Sequence, residues 1–229
     1  MTEKIFVSKL EKIFTKEGFL AEKELGVGYG VADLVLIRKS RINKRKAMIR
    51  LGYGQTTPLK KDAYFKVLEN VPDYKFQKEL VDIGFLADKT KISKSLLKYN
   101  LLKSLERKKY IKRRGETYYF KVNGWLPLTD EIIAIEAKMK DWRKGFVQAI
   151  RYKVFANKVY LAIPAEVEHL VDRKLLKKHK VGLIVLDVKR KEKREVISAA
   201  NIQPLNVSKN NLAFEFFWKR KNLRDLALV

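Results

Sequence analysis

The chain contains no cysteine and only two histidines, His169 and His179, among its 229 residues. Without cysteine there are no disulfides, no thiolate zinc ligands and no cysteine nucleophiles. Two histidines ten residues apart in a charged, helical segment cannot supply a histidine-rich zinc site. Any metal site therefore has to be built from oxygen ligands, which magnesium and manganese prefer.

Long apolar runs are also missing. The longest are of strand length and too short to span a bilayer, and the opening Met-Thr-Glu-Lys-Ile-Phe lacks the layout of a signal peptide. We therefore expect a soluble, cytoplasmic protein with no membrane partner. Hydrophobic residues make up 46% of the chain, enough for a core, and the length suits one large or two small domains.

Acidic residues are scarce relative to basic ones. The chain has 51 Lys and Arg against 26 Asp and Glu, a formal net charge of +25. Such an excess favours a polyanionic partner, because neutralising phosphates releases condensed counterions. Nucleic acid is the first candidate and an anionic membrane surface the second. A lysine-rich thermophilic surface would also enrich glutamate, and here glutamate does not keep pace with lysine.

Charged residues interrupt two apolar segments that predict buried strands. The segment Ile-Ile-Ala-Ile-Glu-Ala-Lys ends in Glu136 and Lys138, which face the same side of a strand while Ala137 faces the other. Far upstream, Val-Ala-Asp-Leu-Val-Leu-Ile carries Asp33. Buried charges are costly unless they are paired or bind a metal. Two carboxylates and a lysine brought together would form a divalent-metal site able to hydrolyse phosphodiesters.

The order of predicted elements indicates the fold class. Apolar spacing predicts helices and strands in the following order: helix 2–17, strands 19–25, 31–37 and 132–138, helix 142–157, strand 158–163, helix 166–179, strand 181–188. Near-continuous apolar strands alternating with helices predict an α/β fold, a mixed central sheet flanked by helices. Gly26, Gly28 and Gly30 precede a strand rather than a helix, which excludes a dinucleotide fingerprint. We expect no organic cofactor.

This arrangement resembles the PD-(D/E)XK nuclease superfamily, which includes restriction endonucleases and Holliday-junction resolvases. The resemblance rests on Asp33, on Glu136-Ala137-Lys138, and on the Gln-x-x-x-Tyr spacing of Gln148 and Tyr152. It covers residues 1–40 and 130–200 and implies a restriction-endonuclease-like core that uses Mg2+ or Mn2+.

The resemblance also implies a role for each residue. Asp33, Glu136 and the carbonyl of Ala137 would bind the metal, Lys138 would act on the attacking water or the developing charge, and Gln148 and Tyr152 would face the site. Many members add a glutamate from the first helix, for which Glu3, Glu11 and Glu17 compete; we select Glu11. The alternatives are structural: Asp33 as a turn cap, Glu136 and Lys138 as a strand pair, and Gln148 as a solvated helix residue.

Roughly a hundred residues separate Asp33 from Glu136, far more than a hairpin link needs, so a module is inserted. We assign residues 1–55 and 126–229 to the nuclease-like domain and residues 56–125 to the insertion. The segment from residue 90 to 122 resembles the third helix and wing of a winged helix-turn-helix, with Ser93 as N-cap and a turn at Gly115. The residues expected to contact DNA are Lys94, Lys98, Lys103, Lys112, Arg113 and Arg114.

The sequence therefore predicts a metal-dependent DNA endonuclease, a phosphodiesterase that grips duplex or branched DNA through its winged helix. Cutting both strands would ordinarily take two sites, which favours a homodimer. A non-catalytic DNA-binding protein with a nuclease-like core is one alternative. An RNA-directed nuclease is the other, although the major groove of A-form RNA is too narrow for a helix. The chain contains no Gly-x-x-x-x-Gly-Lys phosphate loop.

Overall fold

A computed structural model of the protein describes residues 1–28, 30–52, 57–73 and 79–229. The chain forms two compact units, residues 1–42 with 129–217 and residues 43–128 with 218–229. A mixed six-stranded sheet lies in the first unit and a small three-stranded sheet in the second, and helices flank both. The predicted α/β class is confirmed.

The elements have the following bounds along the described chain. The strands are β1 Phe19–Gly26, β2 Val31–Arg38, β3 Val81–Asp82, β4 Ile111–Arg114, β5 Tyr118–Lys121, β6 Ile133–Ala137, β7 Lys158–Pro164, β8 Gly182–Asp187 and β9 Glu192–Ile197. The helices are α1 Glu3–Lys16, α2 Lys44–Gly52, α3 Asp62–Asn70, α4 Ile83–Thr90, α5 over residues 94–107, α6 Trp142–Arg151, α7 Arg173–Lys178, α8 Val207–Glu215 and α9 Arg220–Asp225. Short 3-10 turns cover Lys39–Arg41, Tyr152–Val154 and Ala165–Leu170.

The large sheet has the strand order β1-β2-β6-β7-β8-β9. Strands β6, β7 and β8 are parallel, whereas β1, β2 and β9 join the sheet by antiparallel pairing. The central strands are buried along most of their length, as their near-continuous apolar sequences predict. In the β2–β6 register Leu34 pairs with Ile135, so the next position along places Asp33 across from Glu136.

Helix α1 covers one face of this sheet. Thr2 caps the helix by accepting a hydrogen bond from the Ile5 N–H. The buried residues Phe6, Leu10 and Phe14 join the face of β6 formed by its odd-numbered residues. Because side chains alternate along a strand, Glu136 faces the opposite side of the sheet from this core. The opposite face is the one on which α6 packs, with Gly145 close to Leu161 of β7.

The helix predicted over residues 166–179 differs from the structure. The helix expected over residues 166–179 is broken: a 3-10 turn, Ala165–Leu170, is followed by α7, whose N-cap Asp172 accepts a hydrogen bond from Leu175 N–H. Leu170, at the end of the 3-10 turn, is 53% exposed. After β8 the chain turns back and forms β9, which pairs with β8 from residue 192 onward.

The second unit combines helices with a small sheet. Helices α3, α4 and α5 are followed by the β4–β5 hairpin, and β3 before α4 completes a sheet of order β3-β5-β4. Ser93 caps α5, as predicted, and Gly115 has a φ of +62° at the hairpin turn. Four leucines form the fully buried face of α5: Leu97, Leu101, Leu102 and Leu105.

The boundaries between the units differ from those expected. Residues 43–52, 126–128 and 218–229 belong to the second unit rather than to the nuclease-like domain. Arg50 contacts two of these segments: it is 0% exposed and lies 3.8 Å above the ring of Trp218. Its guanidinium also donates a hydrogen bond of 3.3 Å to the Leu126 carbonyl. One buried side chain of residues 43–52 thus contacts the other two segments.

The helices of the described residues include none with the length and apolar character of a membrane span.

Candidate active site

Glu136 and Lys138 form a buried ion pair at the carboxyl end of β6. Glu136 is 1% exposed, and its Oε1 lies 2.7 Å from the Lys138 ammonium. The same ammonium lies 2.7 Å from Glu3 Oε1 and donates a hydrogen bond of 3.1 Å to the Ala137 carbonyl. Lys138 therefore joins the strand to the first turn of α1.

Asp33 lies beside this pair on the neighbouring strand. Its Oδ2 accepts a hydrogen bond of 2.8 Å from the Ala137 N–H, in the peptide link between Glu136 and Ala137. The antiparallel register of β2 and β6 explains the contact, because it brings Asp33 opposite Glu136. Asp33 and Glu136, 103 positions apart in the sequence, are thereby brought close together.

Tyr152 supports Glu136 from the end of α6. The residue is 1% exposed, and its hydroxyl forms a short hydrogen bond with Glu136 Oε2. The hydroxyl also lies 2.7 Å from the Val31 carbonyl, at the start of β2. Tyr152 has one proton to donate, so these two acceptors compete for it. Protonation of Glu136 would resolve the competition, because the carboxyl would then donate to the phenol and the phenol to Val31.

Burial dominates the electrostatics of the carboxylates. It raises the pKa of Asp33 and of Glu136 above the ordinary carboxyl range, and hydrogen bonds to Ala137 N–H, Lys138 and Tyr152 offset the effect only in part. Burial also disfavours the charged form of Lys138, but its hydrogen bonds to Glu136 and Glu3 win and raise its pKa. Burial and the neighbouring Glu136 likewise raise the pKa of Tyr152. Lys138 and Tyr152 thus stay protonated at neutral pH.

Gln148 lies one helical turn before Tyr152 on α6. Its Oε1 is buried and has no hydrogen-bond partner among the described residues. A buried polar atom without a partner is unusual in a folded protein and calls for a ligand or water. Gln148 therefore presents an unused polar group on the same helix that positions Tyr152.

The first-helix glutamate at the site is Glu3, so the selection of Glu11 is corrected. Glu11 forms an ion pair of 2.8 Å with Lys23 of β1, and Glu17 forms one of 3.1 Å with Lys193. Glu3 precedes Phe6 by three residues and Glu11 precedes Phe14 by three, so the amphipathic pattern of α1 is compatible with either.

The donor set fits a hard divalent cation. Asp33, Glu136 and the Ala137 carbonyl offer oxygen ligands only, which suits magnesium or manganese. Burial disfavours the charge of both carboxylates, and a cation would offset that cost. Among the residues that the structure describes, no group of three or more acidic or histidine side chains is gathered. Water or a substrate phosphate would have to complete the coordination of an ion held here.

The residues predicted to contact DNA lie on the surface of the second unit. All six are exposed: Lys94, Lys98 and Lys103 on α5, and Lys112, Arg113 and Arg114 on β4. This unit carries 25 Lys and Arg against 9 Asp and Glu, which is +16 of the total charge of +25. Positive charge is thus concentrated in the smaller unit, which contains α5 and the β4–β5 hairpin.

The first unit has an α/β fold in which the half-buried Asp33 lies beside the buried Glu136 and Lys138, where β2 meets β6. The chain matches no protein-family model, no curated protein and no solved structure.

Proposed function

We propose that the protein is a metal-dependent nuclease that hydrolyses phosphodiester bonds in DNA. The observation that carries the proposal is the convergence of Asp33, Glu136 and Lys138, which come from two strands far apart in sequence. Clusters of buried ionisable groups with raised pKa values are typical of functional sites.

The residues of the cluster divide the chemistry of hydrolysis among them. Asp33, Glu136 and the Ala137 carbonyl would hold the ion, with Lys138 next to the reacting phosphate. The bound metal would supply an activated water and take up charge on the phosphate. Tyr152 fixes one carboxylate oxygen of Glu136, and so limits the rotation of the side chain.

The raised pKa of Lys138 favours one of its two expected roles, stabilisation of the developing charge over deprotonation of water. Hydrogen bonds to Glu136 and Glu3 keep the ammonium protonated despite its burial. A protonated lysine cannot accept a proton from water, but it can orient that water and stabilise the negative charge that develops on the phosphate. We assign Lys138 the second role.

The second unit would supply most of the affinity for DNA. Its net charge of +16 and its exposed basic residues on α5 and β4 suit contacts to the phosphate backbone. In a winged helix the third helix enters the major groove, and here that helix is α5. A homodimer would place a second site for the opposite strand.

Cleavage of labelled substrates tests the proposal. The panel contains duplex, nicked, flap, junction and single-stranded DNA and duplex RNA, each with magnesium, manganese or EDTA. We expect cutting of DNA that requires the ion and falls at least about 100-fold in Lys138→Gln, since removing one stabilising donor costs roughly 100- to 1,000-fold. Glu136→Gln removes a charged ligand of the ion and should reduce cutting at least as much. Glu3→Gln should reduce cutting, whereas the matched Glu11→Gln on the same helix should not.

The pattern of losses separates the alternatives. DNA binding without ion-dependent cutting of any substrate would favour the non-catalytic binding protein, with the cluster as a structural ion-pair network. Cutting of RNA alone would favour the RNA-directed alternative. Products from duplex DNA distinguish a monomer that nicks from a homodimer that cuts both strands.

A further inference from the structure

We propose that an aromatic groove on the second unit binds unpaired bases, so that the preferred DNA contains a single-stranded segment. The proposal deepens the proposed function by naming a substrate class, and it rests on that function only for the consequence of binding. The groove is a concavity of about 540 Å3 beside α5 and the tip of the β4–β5 hairpin. Its aromatic residues are Tyr99 and Tyr118, and its basic residues are Lys94 and Lys98.

Tyr99 is placed for stacking rather than for packing. It is 70% exposed, although it lies between the buried Leu97 and Leu101 on the same helix. It also lines a second concavity of about 510 Å3, together with Lys103 and Arg107. Tyr99 therefore lines two concavities, and basic side chains line both of them as well.

The helix is irregular at this position. Residues Leu97–Leu102 of α5 have π-helical hydrogen bonding, whereas the residues on either side are α-helical. Such π-helical turns are rare and occur frequently at functional sites. The wide turn includes Lys98, whose ammonium lies 5.4 Å from the centre of the Tyr99 ring.

The chemistry of the groove matches single-stranded nucleic acid. Aromatic rings stack on bases of any sequence, and flanking lysines follow the phosphates. Tyr118, 47% exposed, offers a second ring across the groove. Bases inside a duplex already stack on each other, so a groove of this kind contacts them only where the strand is unpaired. The net charge of +16 on this unit argues for a polyanion over an apolar protein partner.

Binding without metal tests the groove separately from cutting. Fluorescence anisotropy in EDTA compares single-stranded DNA, blunt duplex, and duplex with a single-stranded tail, using the full chain. We expect tailed and single-stranded DNA to bind more tightly than blunt duplex. Tyr99→Ala should weaken binding of both by roughly 5- to 100-fold, the range of one lost stacking contact. Tyr99→Phe keeps the ring and should bind like the wild type.

The control variant is Leu205→Ala, which removes a side chain that is 78% exposed on the first unit. It should change no affinity. Equal losses for blunt and tailed DNA in Tyr99→Ala, or no loss for either, would overturn the stacking role. Ion-dependent cutting with unchanged binding in Tyr99→Ala would leave the nuclease proposal standing and this one refuted. Weaker binding of tailed and single-stranded DNA in Tyr99→Ala, with no ion-dependent cutting by the wild type, would refute the nuclease proposal and leave the stacking role standing.

Discussion

At the scale of single residues, the site is held together by hydrogen bonds that compensate for burial. Glu136 is almost fully buried, yet both of its carboxylate oxygens have a partner, one in Lys138 and one in Tyr152. Removing one partner from such a pair typically costs more than the pair contributes, because it leaves a buried charge uncompensated. The cluster therefore constrains which substitutions the core tolerates.

The raised pKa values of Asp33 and Glu136 predict how ions change stability. Burial raises both above their ordinary values of 3.8 and 4.5, so the folded state binds protons more tightly than the unfolded state. The resulting stabilisation is fully present below those ordinary values and is lost as pH rises through the raised ones. At neutral pH the two carboxylates consequently destabilise the fold, and a bound cation would relieve that cost.

We expect saturating Mg2+ or Mn2+ to raise the melting temperature at pH 7.5 by about 5 °C, the scale set by an ion at 100 times its dissociation constant. The rise should shrink toward pH 4.5, where protons compete for the same oxygens. Asp33→Asn should abolish the response, whereas Glu11→Gln should retain it. Differential scanning calorimetry makes the measurement, and an equal rise in Asp33→Asn would contradict a metal at this site.

At the scale of elements, the sequence predicts the helices, strands, caps and turns that depend on residues close together in the chain. The central strands, α1, α6 and the leucine face of α5 follow from apolar periodicity, and Ser93 and Gly115 follow from capping and turn preferences. The position of Asp33 against Glu136 also follows, because a charge in an apolar strand needs a partner.

Long-range register decides the elements that were predicted incorrectly. Whether Glu3 or Glu11 reaches Lys138 depends on the position of α1 along the sheet. The amphipathic pattern of α1 is compatible with either glutamate. Asp172 breaks the expected helix since its side chain caps α7 better than it would serve inside a longer helix. The role of Arg50 in joining three segments depends on Trp218, 168 positions away in the sequence, and no local pattern carries that information.

The packing of α6 on the sheet depends on Gly145. A Cβ at this position would lie 2.6 Å from Lys138 Cγ and 2.7 Å from Leu161 Cδ1, closer than carbon atoms approach without displacement. Lys138 can approach α6 this closely only because residue 145 has no side chain. Gly145 therefore positions Lys138 from the side opposite Glu3.

We expect Gly145→Ala to lower the free energy of unfolding by about 1–2 kcal/mol, because overpacking costs about 1–3 kcal/mol while alanine returns about 0.5–1 kcal/mol of helix preference. Cutting should fall further than stability accounts for, since Lys138 must move. Urea unfolding and cleavage rates check both effects. Gly52→Ala is the matched control, because Gly52 ends α2 with open space around it; it should not lower the free energy of unfolding and should leave cutting unchanged.

At the scale of the whole molecule, charge and chemistry are divided between the two units. The first contains the buried acidic and basic cluster and has a net charge of +9, with 26 Lys and Arg against 17 Asp and Glu. The second carries +16 in fewer residues. This division is what the proposed function requires, because the unit that cuts must hold a cation while the unit that grips must neutralise phosphates.

The salt dependence of DNA binding tests this division. Each phosphate contact contributes about −0.9 to the slope of log K against log salt. Replacing Lys112, Arg113 and Arg114 of β4 together by alanine should flatten the slope by up to about 2.7, the sum of three such contacts.

The matched control replaces three exposed lysines of α7 in the first unit, Lys174, Lys177 and Lys178, by alanine. Both triple variants lose the same formal charge, so a general effect of net charge would flatten the two slopes equally. Both slopes are measured by fluorescence anisotropy in EDTA between about 50 and about 300 mM salt. A larger change of slope in the β4 variant would place the phosphate contacts on the hairpin. Equal slopes would mean that DNA responds to the total charge and that the winged-helix elements do not define its path.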